Sequence, residues 1–257
     1  MDFLTAVILG VVEGITEFLP VSSTGHLILT SRFLGLEQTD FLKSFEIAIQ
    51  FGAILSVVVL YWRSFLIDTS ILRRVLTAFF PTAIIGFGFY KLIKNLLLGN
   101  SQIVIWSLLL GGIGLIVFER FHKEKEEASG TMNLISYRNA FLIGLFQSLA
   151  IIPGVSRSAA TIIAGLLLGL KRKTIVEFSF LLAVPTMLAA TLLDFWESAD
   201  GFSMDQMVFL KVGFLTSFVM ALLSIKFFLY FIKSHNFIPF GVYRILVALL
   251  FLIWPNL

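Results

Sequence analysis

The stretch EGITEFLPVSSTGHL, residues Glu13 to Leu27, decides how this chain folds. It sets two carboxylates, a proline, a run of hydroxyls and a histidine between arms apolar enough for a bilayer. Ionisable groups at membrane depth are costly and face a polar cavity or a partner. One crossing takes about 20 apolar residues for a hydrocarbon core of ~30 Å. Residues 2–35 are therefore too few for two crossings. Pro20 and the run Ser22-Ser23-Thr24-Gly25 interrupt the helix near its middle. The reading is a re-entrant helix–loop–helix, with residues 2–18 entering and 27–34 returning. Irregular backbone at that depth is tolerated only inside protein or beside a water-filled cavity. The plainer alternative is one full span followed by an external loop.

The rest of the composition agrees. Of 257 residues 58% are hydrophobic, 28 are Phe and only 14% are charged, against about 25% charged in soluble domains. A transmembrane barrel would alternate apolar and polar residues in segments of about ten, and no such pattern occurs. The net charge of +3 is better read as topology-setting loops than as a nucleic-acid surface. Cysteine is absent, which excludes disulfides and thiolate-held metals. The start, Met1-Asp2-Phe3, lacks the basic region of a signal peptide and is expected to belong to the mature protein.

Beyond the first unit, spans are expected at residues 44–62, 75–92 and 103–121. The polar run 119–138, containing HKEKEE and Ser-Gly, reads as a solvated loop between two halves. The second half repeats the first. Residues 140–170 are again too short for two crossings and are broken by IIPGVSRSAAT at 151–161. At an offset of 134, Gly10 meets Gly144, Val21 meets Val155, Ser22 meets Ser156 and Ile28 meets Ile162. Spans at 175–195, 208–232 and 240–254 follow. The expected fold is an all-α polytopic membrane protein, an inverted-topology repeat of six transmembrane helices plus two re-entrant hairpins. The first repeat is 1–121, a cytoplasmic linker is 122–138, and the second repeat is 139–257. One side carries Arg63, Arg73, Arg74, Arg120, Lys123, Lys125, Arg138, Lys171, Arg172, Lys173 and Lys233; the other has Arg32, Lys43 and Lys94. That imbalance puts the first side in the cytoplasm, so the first hairpin enters from outside and the second from inside. Their tips can meet near mid-membrane.

Glu13 and Glu17, four residues apart, share a helix face. Two carboxylates so close in a low dielectric either share a proton or hold a cation. Magnesium typically takes one or two carboxylates and completes its shell with water and phosphate. Ser22, Ser23, Thr24 and Gly25 precede a resuming helix near His26, and backbone N–H groups at such a start bind anions. Ordinary N-capping explains the hydroxyls equally well. His26 sits among them as a candidate acid, base or nucleophile. Arg157, in Gly154-Val155-Ser156-Arg157-Ser158, is a guanidinium at membrane depth, suited to phosphate or to Glu13 and Glu17. Gln147 and Ile151 replace the two acids in this half. Glu46, Glu177 and Asp194 read as interfacial or capping residues, and His122 and His235 as solvated.

These residues carry a resemblance. EGITEFLPVSSTGHL and PGVSRSAAT, the latter spanning Pro153 to Thr161, resemble the two signature motifs of the bacterial undecaprenyl-diphosphatase, or bacitracin-resistance, family. EFSFLLAVP, beginning at Glu177, and FIPFGVYR, ending at Arg244, extend the resemblance over essentially the whole chain. It implies hydrolysis of undecaprenyl diphosphate to undecaprenyl phosphate and inorganic phosphate in the bacterial inner membrane. That step recycles the carrier lipid for cell-wall synthesis and confers bacitracin resistance. The resemblance further implies a divalent cation, magnesium or calcium, and a site open to the outer, periplasmic face. Glu13, Glu17, His26 and Arg157 match the family's essential positions, with Ser22, Ser23, Thr24, Ser156, Ser158 and Thr161 alongside. The expected attacking group is Ser22, His26 or a water activated by a glutamate.

The expected partners are the polyprenyl diphosphate substrate and membrane lipid, with no nucleic acid. A lipid flippase or anion transporter could use the same midplane site, and phosphate release in detergent distinguishes the two. Oligomeric state is not readable. Gly111-Gly112-x-Gly114 and Gly165-x-x-x-Gly169 allow a dimer, but contacts within the chain explain them as well.

Overall fold

Between Glu17 and Ser22 the chain turns back on itself through buried residues. The computed structural model describes residues 1–37, 39–89, 100–124, 130–197 and 204–253, with all helical side chains but those of 193–197, 204 and 205. Lys94, Lys125, residue 254 and the Asp194 side chain lie outside the described residues. The described residues form eleven α-helices and no strand. They are α1 (Phe3–Thr16), α2 (Ser23–Phe33), α3 (Asp40–Leu60), the short α4 (Trp62–Leu66), α5 (Thr69–Gly88) and α6 (Ser101–Phe121). After these come α7 (Tyr137–Gln147), α8 (Arg157–Leu167), α9 (Arg172–Glu197), α10 (Met204–Phe231) and α11 (Ile238–Ile253).

Five of these, α3, α5, α6, α9 and α10, are long and apolar enough to cross a membrane. This is a multi-pass membrane protein. The sixth expected span, α11, has 16 described residues, about 24 Å at 1.5 Å per residue. It packs along α6, where Gly112 and Gly241 press each helix onto the other's backbone. Large apolar side chains on the outer faces, such as Leu110 at 63% exposure and Leu246 at 60%, suit a lipid surround.

The short helices flanking the breaks, α1, α2, α7 and α8, each open on a side-chain cap. Asp2 opens α1 by accepting from Thr5 N at 2.8 Å, and the 14 residues that follow reach only about 21 Å. Ser22 caps α2, which starts at Ser23, four residues ahead of the expected return at residue 27. The reason is local: Ser22 takes φ 74°, its side chain accepts from Gly25 N at 3.4 Å, and its carbonyl accepts from His26 N. Ser156 does the same for α8, with φ 76° and its oxygen accepting from Ala159 N at 3.2 Å. Non-glycine residues at positive φ cost about 1–3 kcal/mol and persist only where their surroundings impose them.

Packing partners exchange between the halves. α1 lies along α10 as α7 lies along α5, and α3 meets α10 as α9 meets α5. Gly10 and Gly144, 134 residues apart, each meet the backbone of a long helix. A Cβ on Gly10 would stand 2.8 Å from the Gly213 carbonyl oxygen, and one on Gly144 would stand 1.8 Å from that of Ala78. The same glycine lets each short arm touch a long helix of the opposite half.

The run 119–138 is not simply solvated. Glu119 is buried, held in a two-pronged ion pair by Arg172 and accepting from Phe237 N at 3.0 Å. It closes the end of α6 onto the starts of α9 and α11. His122 likewise departs from expectation: its ring stacks on Phe118 and its Nε2 is buried, whereas His235 is exposed. Gly111, Gly112 and Gly165 are used within the chain, against Arg244, Gly241 and Ile175.

Candidate active site

Four helix ends converge where the two breaks meet. On α1, residues 6, 9, 10, 13 and 14 form the buried face, the 3- and 4-residue spacing of one helix side. Gly10 and Gly14 let the α10 backbone approach that face, so Glu13 between them is driven fully into the protein. Glu17 follows one turn later as the cap of α1, also buried.

Arg157, the first residue of α8, donates from Nη2 to Glu17 Oε1 at 2.8 Å. Its Nη1 donates to the Ser179 carbonyl of α9 at 2.7 Å. The two side chains are 10% and 3% exposed. Removing one partner from so buried a pair costs about 3–5 kcal/mol. Ser23 Oγ donates to the other Glu17 oxygen. Two sets of atoms remain unmatched: the buried Arg157 Nε has no acceptor, and neither Glu13 oxygen has a donor. Glu13 faces the Glu17 carboxylate, which as an anion also only accepts. A buried carboxylate without a donor is held by a proton or a cation.

Among the described residues no three His, Cys, Asp or Glu side chains converge as a metal cage. The donor set does fit a hard cation of the magnesium type, which needs only one or two carboxylates besides water and phosphate oxygens. Glu13, with both oxygens unpartnered, and Glu17, with its oxygens on Arg157 and Ser23, are the carboxylates present at this junction.

His26, 8% exposed, lies in the first turn of α2. Its Nδ1 is 2.7 Å from the Ser22 carbonyl oxygen, which can only accept, so Nδ1 carries the proton. Its Nε2 meets the Tyr243 hydroxyl at 2.9 Å.

The remaining expected residues divide. Gly25 lies against the other tip, where a Cβ would come within 3.6 Å of Gly154 Cα. Thr24 is half-buried beside it. Ser158 Oγ donates to the Phe18 carbonyl at 2.9 Å, a stitch between the breaks. Thr161 is fully buried, bonded to Ser179 Oγ at 2.6 Å and to the Arg157 and Ser158 carbonyls at 3.0 Å. The hydroxyls of Ser23, Ser156, Ser158 and Thr161 are thus committed within the protein, while Ser22 Oγ has one long contact.

Sequence reasoning passed over Arg244. It is fully buried in α11 and faces no carboxylate. It donates instead to five backbone carbonyls: Pro20 of the first break, Gly154 and Val155 of the second, and Ser107 and Leu108 of α6, at 2.9–3.4 Å. Gly111 makes room for it, since a Cβ there would stand 2.0 Å from a guanidinium nitrogen. The signal was present: an arginine inside an apolar helix is expensive for the same reason as Arg157. Glu46, on α3, takes a bond from Ser31 Oγ at 3.3 Å.

The family model described as bacitracin resistance protein BacA matches residues 6–250. The chain is 53% identical over 254 residues to an undecaprenyl-diphosphatase of Sulfurihydrogenibium sp. (strain YO3AOP1), covering 99% of this chain and all of that one. It is 54% identical over 246 residues to an undecaprenyl-diphosphatase of Aquifex aeolicus (strain VF5), covering 96% of each. It is 48% identical over 257 residues to that of Wolinella succinogenes, covering the full length of both. The residues that hold the two breaks together thus lie inside the matched region, and the chain belongs to the bacitracin resistance protein BacA family.

Proposed function

We propose that this chain is a membrane phosphatase that hydrolyses undecaprenyl diphosphate to undecaprenyl phosphate and inorganic phosphate, recycling the carrier lipid for cell-wall synthesis and giving bacitracin resistance. The reading rests on relatives of that name at about half identity over nearly the whole chain. The observation that carries it in the molecule is the buried Glu17–Arg157 pair, which joins the two breaks across 140 residues of sequence.

Transfer of a phosphoryl group is chiefly positioning and charge stabilisation. Arg157 meets the diphosphate with its uncommitted Nε, and the N-termini of α2 and α8 add backbone N–H groups at the same junction. Glu13 and Glu17 would hold a magnesium or calcium ion, which when bound neutralises phosphate charge. Ser22 Oγ, which accepts one long contact and keeps its own proton undonated, attacks the terminal phosphorus: an Oγ–P bond forms, the anhydride P–O bond breaks, and undecaprenyl phosphate leaves. Water then releases phosphate from the serine. The Ser22 proton passes to His26 Nε2, the one nitrogen lone pair among these residues, once the Tyr243 hydroxyl that it accepts from turns away. Ser23 orients Glu17, while Ser156, Ser158 and Thr161 shape the second tip.

In the same reading the fold is an inverted repeat of six crossings and two re-entrant hairpins, 2–35 and 140–170, with repeats 1–121 and 139–257. The exchange of packing partners and the matched pairs Gly10/Gly144 and Ser22/Ser156 support it. The basic loops then place the protein in the inner membrane with the site open to the outer face.

The test is release of phosphate from undecaprenyl diphosphate by the purified protein in detergent, where transport cannot contribute. Parent protein is expected to turn over, and Glu17→Gln and Arg157→Ala to be inactive though folded. Near-normal turnover by either variant overturns the reading.

A further inference from the structure

We propose that Ser179 of α9 is a positioning residue for this reaction and acts through Arg157. The inference rests on the reading that Arg157 meets the diphosphate with its Nε. For Nε to face a ligand, the rest of the guanidinium must be held, and two residues hold it. Nη2 donates to Glu17 Oε1 at 2.8 Å. Nη1 donates to the Ser179 carbonyl at 2.7 Å, with the Ser179 hydroxyl 3.5 Å from the same nitrogen. That hydroxyl cannot aim its proton at Arg157, which has only donors to offer. It donates instead to Thr161 Oγ1 at 2.6 Å, and Thr161 donates to the Arg157 and Ser158 carbonyls at 3.0 Å. The result is a closed circuit, from the Arg157 side chain through Ser179 and Thr161 back to the Arg157 backbone.

The arrangement is built rather than incidental. Ser179 stands between Phe178 and Phe180, and all three are fully buried. A hydroxyl in such a helix commonly turns back to a carbonyl of the preceding turn. Thr186 of the same helix does so, donating to the Leu182 carbonyl at 2.7 Å, and Ser56 of α3 donates to that of Ala53 at 2.6 Å. Ser179 turns its hydroxyl out to α8 instead. With its proton committed to Thr161, the remaining lone pairs of Oγ lie toward Nη1. They resist a swing of the guanidinium about its bond to Glu17, and the buried, unpartnered Nε keeps its place at the junction.

The test uses the full-length protein in detergent with undecaprenyl diphosphate, each variant assayed well below its melting midpoint. Ser179→Ala removes the hydroxyl and leaves the carbonyl bond to Nη1. It is expected to fold and to lower kcat/KM about fivefold to tenfold, the scale of one hydrogen bond. Thr161→Val removes the group that Ser179 donates to and is expected to give a loss of the same size, the double variant being no worse than either. Ser179→Thr and Ser179→Val add the same bulk to one site and differ in the hydroxyl, so the first is expected to turn over about fivefold faster than the second. A serine that only packs would leave that pair alike. Whatever turnover Arg157→Lys retains is expected to be indifferent to Ser179→Ala, since the guanidinium to be aimed is gone. Parent-like kcat/KM in Ser179→Ala, equal turnover in S179T and S179V, an additive double variant, or a further loss in the Arg157→Lys background overturns the proposal. If Arg157→Ala turns over like the parent, the part given to Arg157 falls, and with it this one. If Arg157→Ala is inactive and Ser179→Ala is not impaired, only the role of Ser179 falls.

Discussion

The breaks at residues 20–25 and 153–159 have the same backbone and opposite chemistry. At each, a serine with φ near 75° caps the helix that follows. At each, the preceding arm is set against a long helix of the other half by an equivalent glycine. The side chains then diverge. Glu13 is fully buried with no donor to either oxygen. Its counterpart Gln147 donates from Nε2 to Thr82 at 2.9 Å and to Thr186 at 3.1 Å. The second break gives the amide nitrogen of this group two local acceptors and leaves its buried Oε1 without a donor. The other keeps a carboxylate that ligand or proton must satisfy. The cation that the first break lacks is carried by the second, as Arg157. The two breaks share a backbone and divide the charges, with acids on the first and the arginine on the second.

The sharpest way to break that comparison is to remove the charge that crosses it. Glu17→Gln and Arg157→Ala are each expected to lower phosphate release by more than about a hundredfold, the scale of losing one transition-state charge contact. Turnover in detergent checks this. Arg244 holds both breaks by their backbone carbonyls. Arg244→Lys cannot reach five carbonyls with three donors, and is expected to destabilise the protein by about 3 kcal/mol or more, read as a lowered melting midpoint.

Making the first break resemble the second is the next test. Glu13→Gln is expected to lose activity about tenfold to a hundredfold while raising stability by ~1–2 kcal/mol, because an unpartnered buried carboxylate is replaced by a neutral group. Stimulation by added magnesium or calcium, measured alongside, is expected to weaken in this variant. Opposite signs for activity and stability mark a functional group rather than a packing one. The smallest effect is expected where the backbones are alike. Ser156→Gly relieves the positive φ and loses a cap, so stability is expected to stay within about 1 kcal/mol. Ser22→Gly makes the same backbone change but removes the hydroxyl proposed to attack, and is expected to be inactive at similar stability. Thermal melts and turnover of the two glycine variants separate backbone strain from chemistry.

Much of the fold was legible because hydropathy and chain length act along the sequence. An apolar run either reaches about 20 residues or falls short, so α1, α2, α7 and α8 were recognisable as too short. The start of α2 was misplaced by four residues, because its cap depends on a serine at positive φ that no pattern of apolar residues reports. Glu119 looked like part of a polar linker, and only the return of α9 and α11 buries it. Arg244 and Tyr243 escaped notice because nothing adjacent to them in sequence is polar enough to explain them. Their partners are Pro20, Gly154, Val155 and His26, the nearest of which is 89 residues away.

By itself the sequence determined that the chain enters a membrane, that it is broken twice in matching places, and which break carries acids and which the arginine. These are consequences of residue type and spacing, which act locally. Only the tertiary structure decided that the two breaks meet, that Glu17 rather than Glu13 takes Arg157, and what faces the far nitrogen of His26. Those outcomes depend on distances between groups remote in sequence, and such distances are set by how glycines and caps let the helices pack.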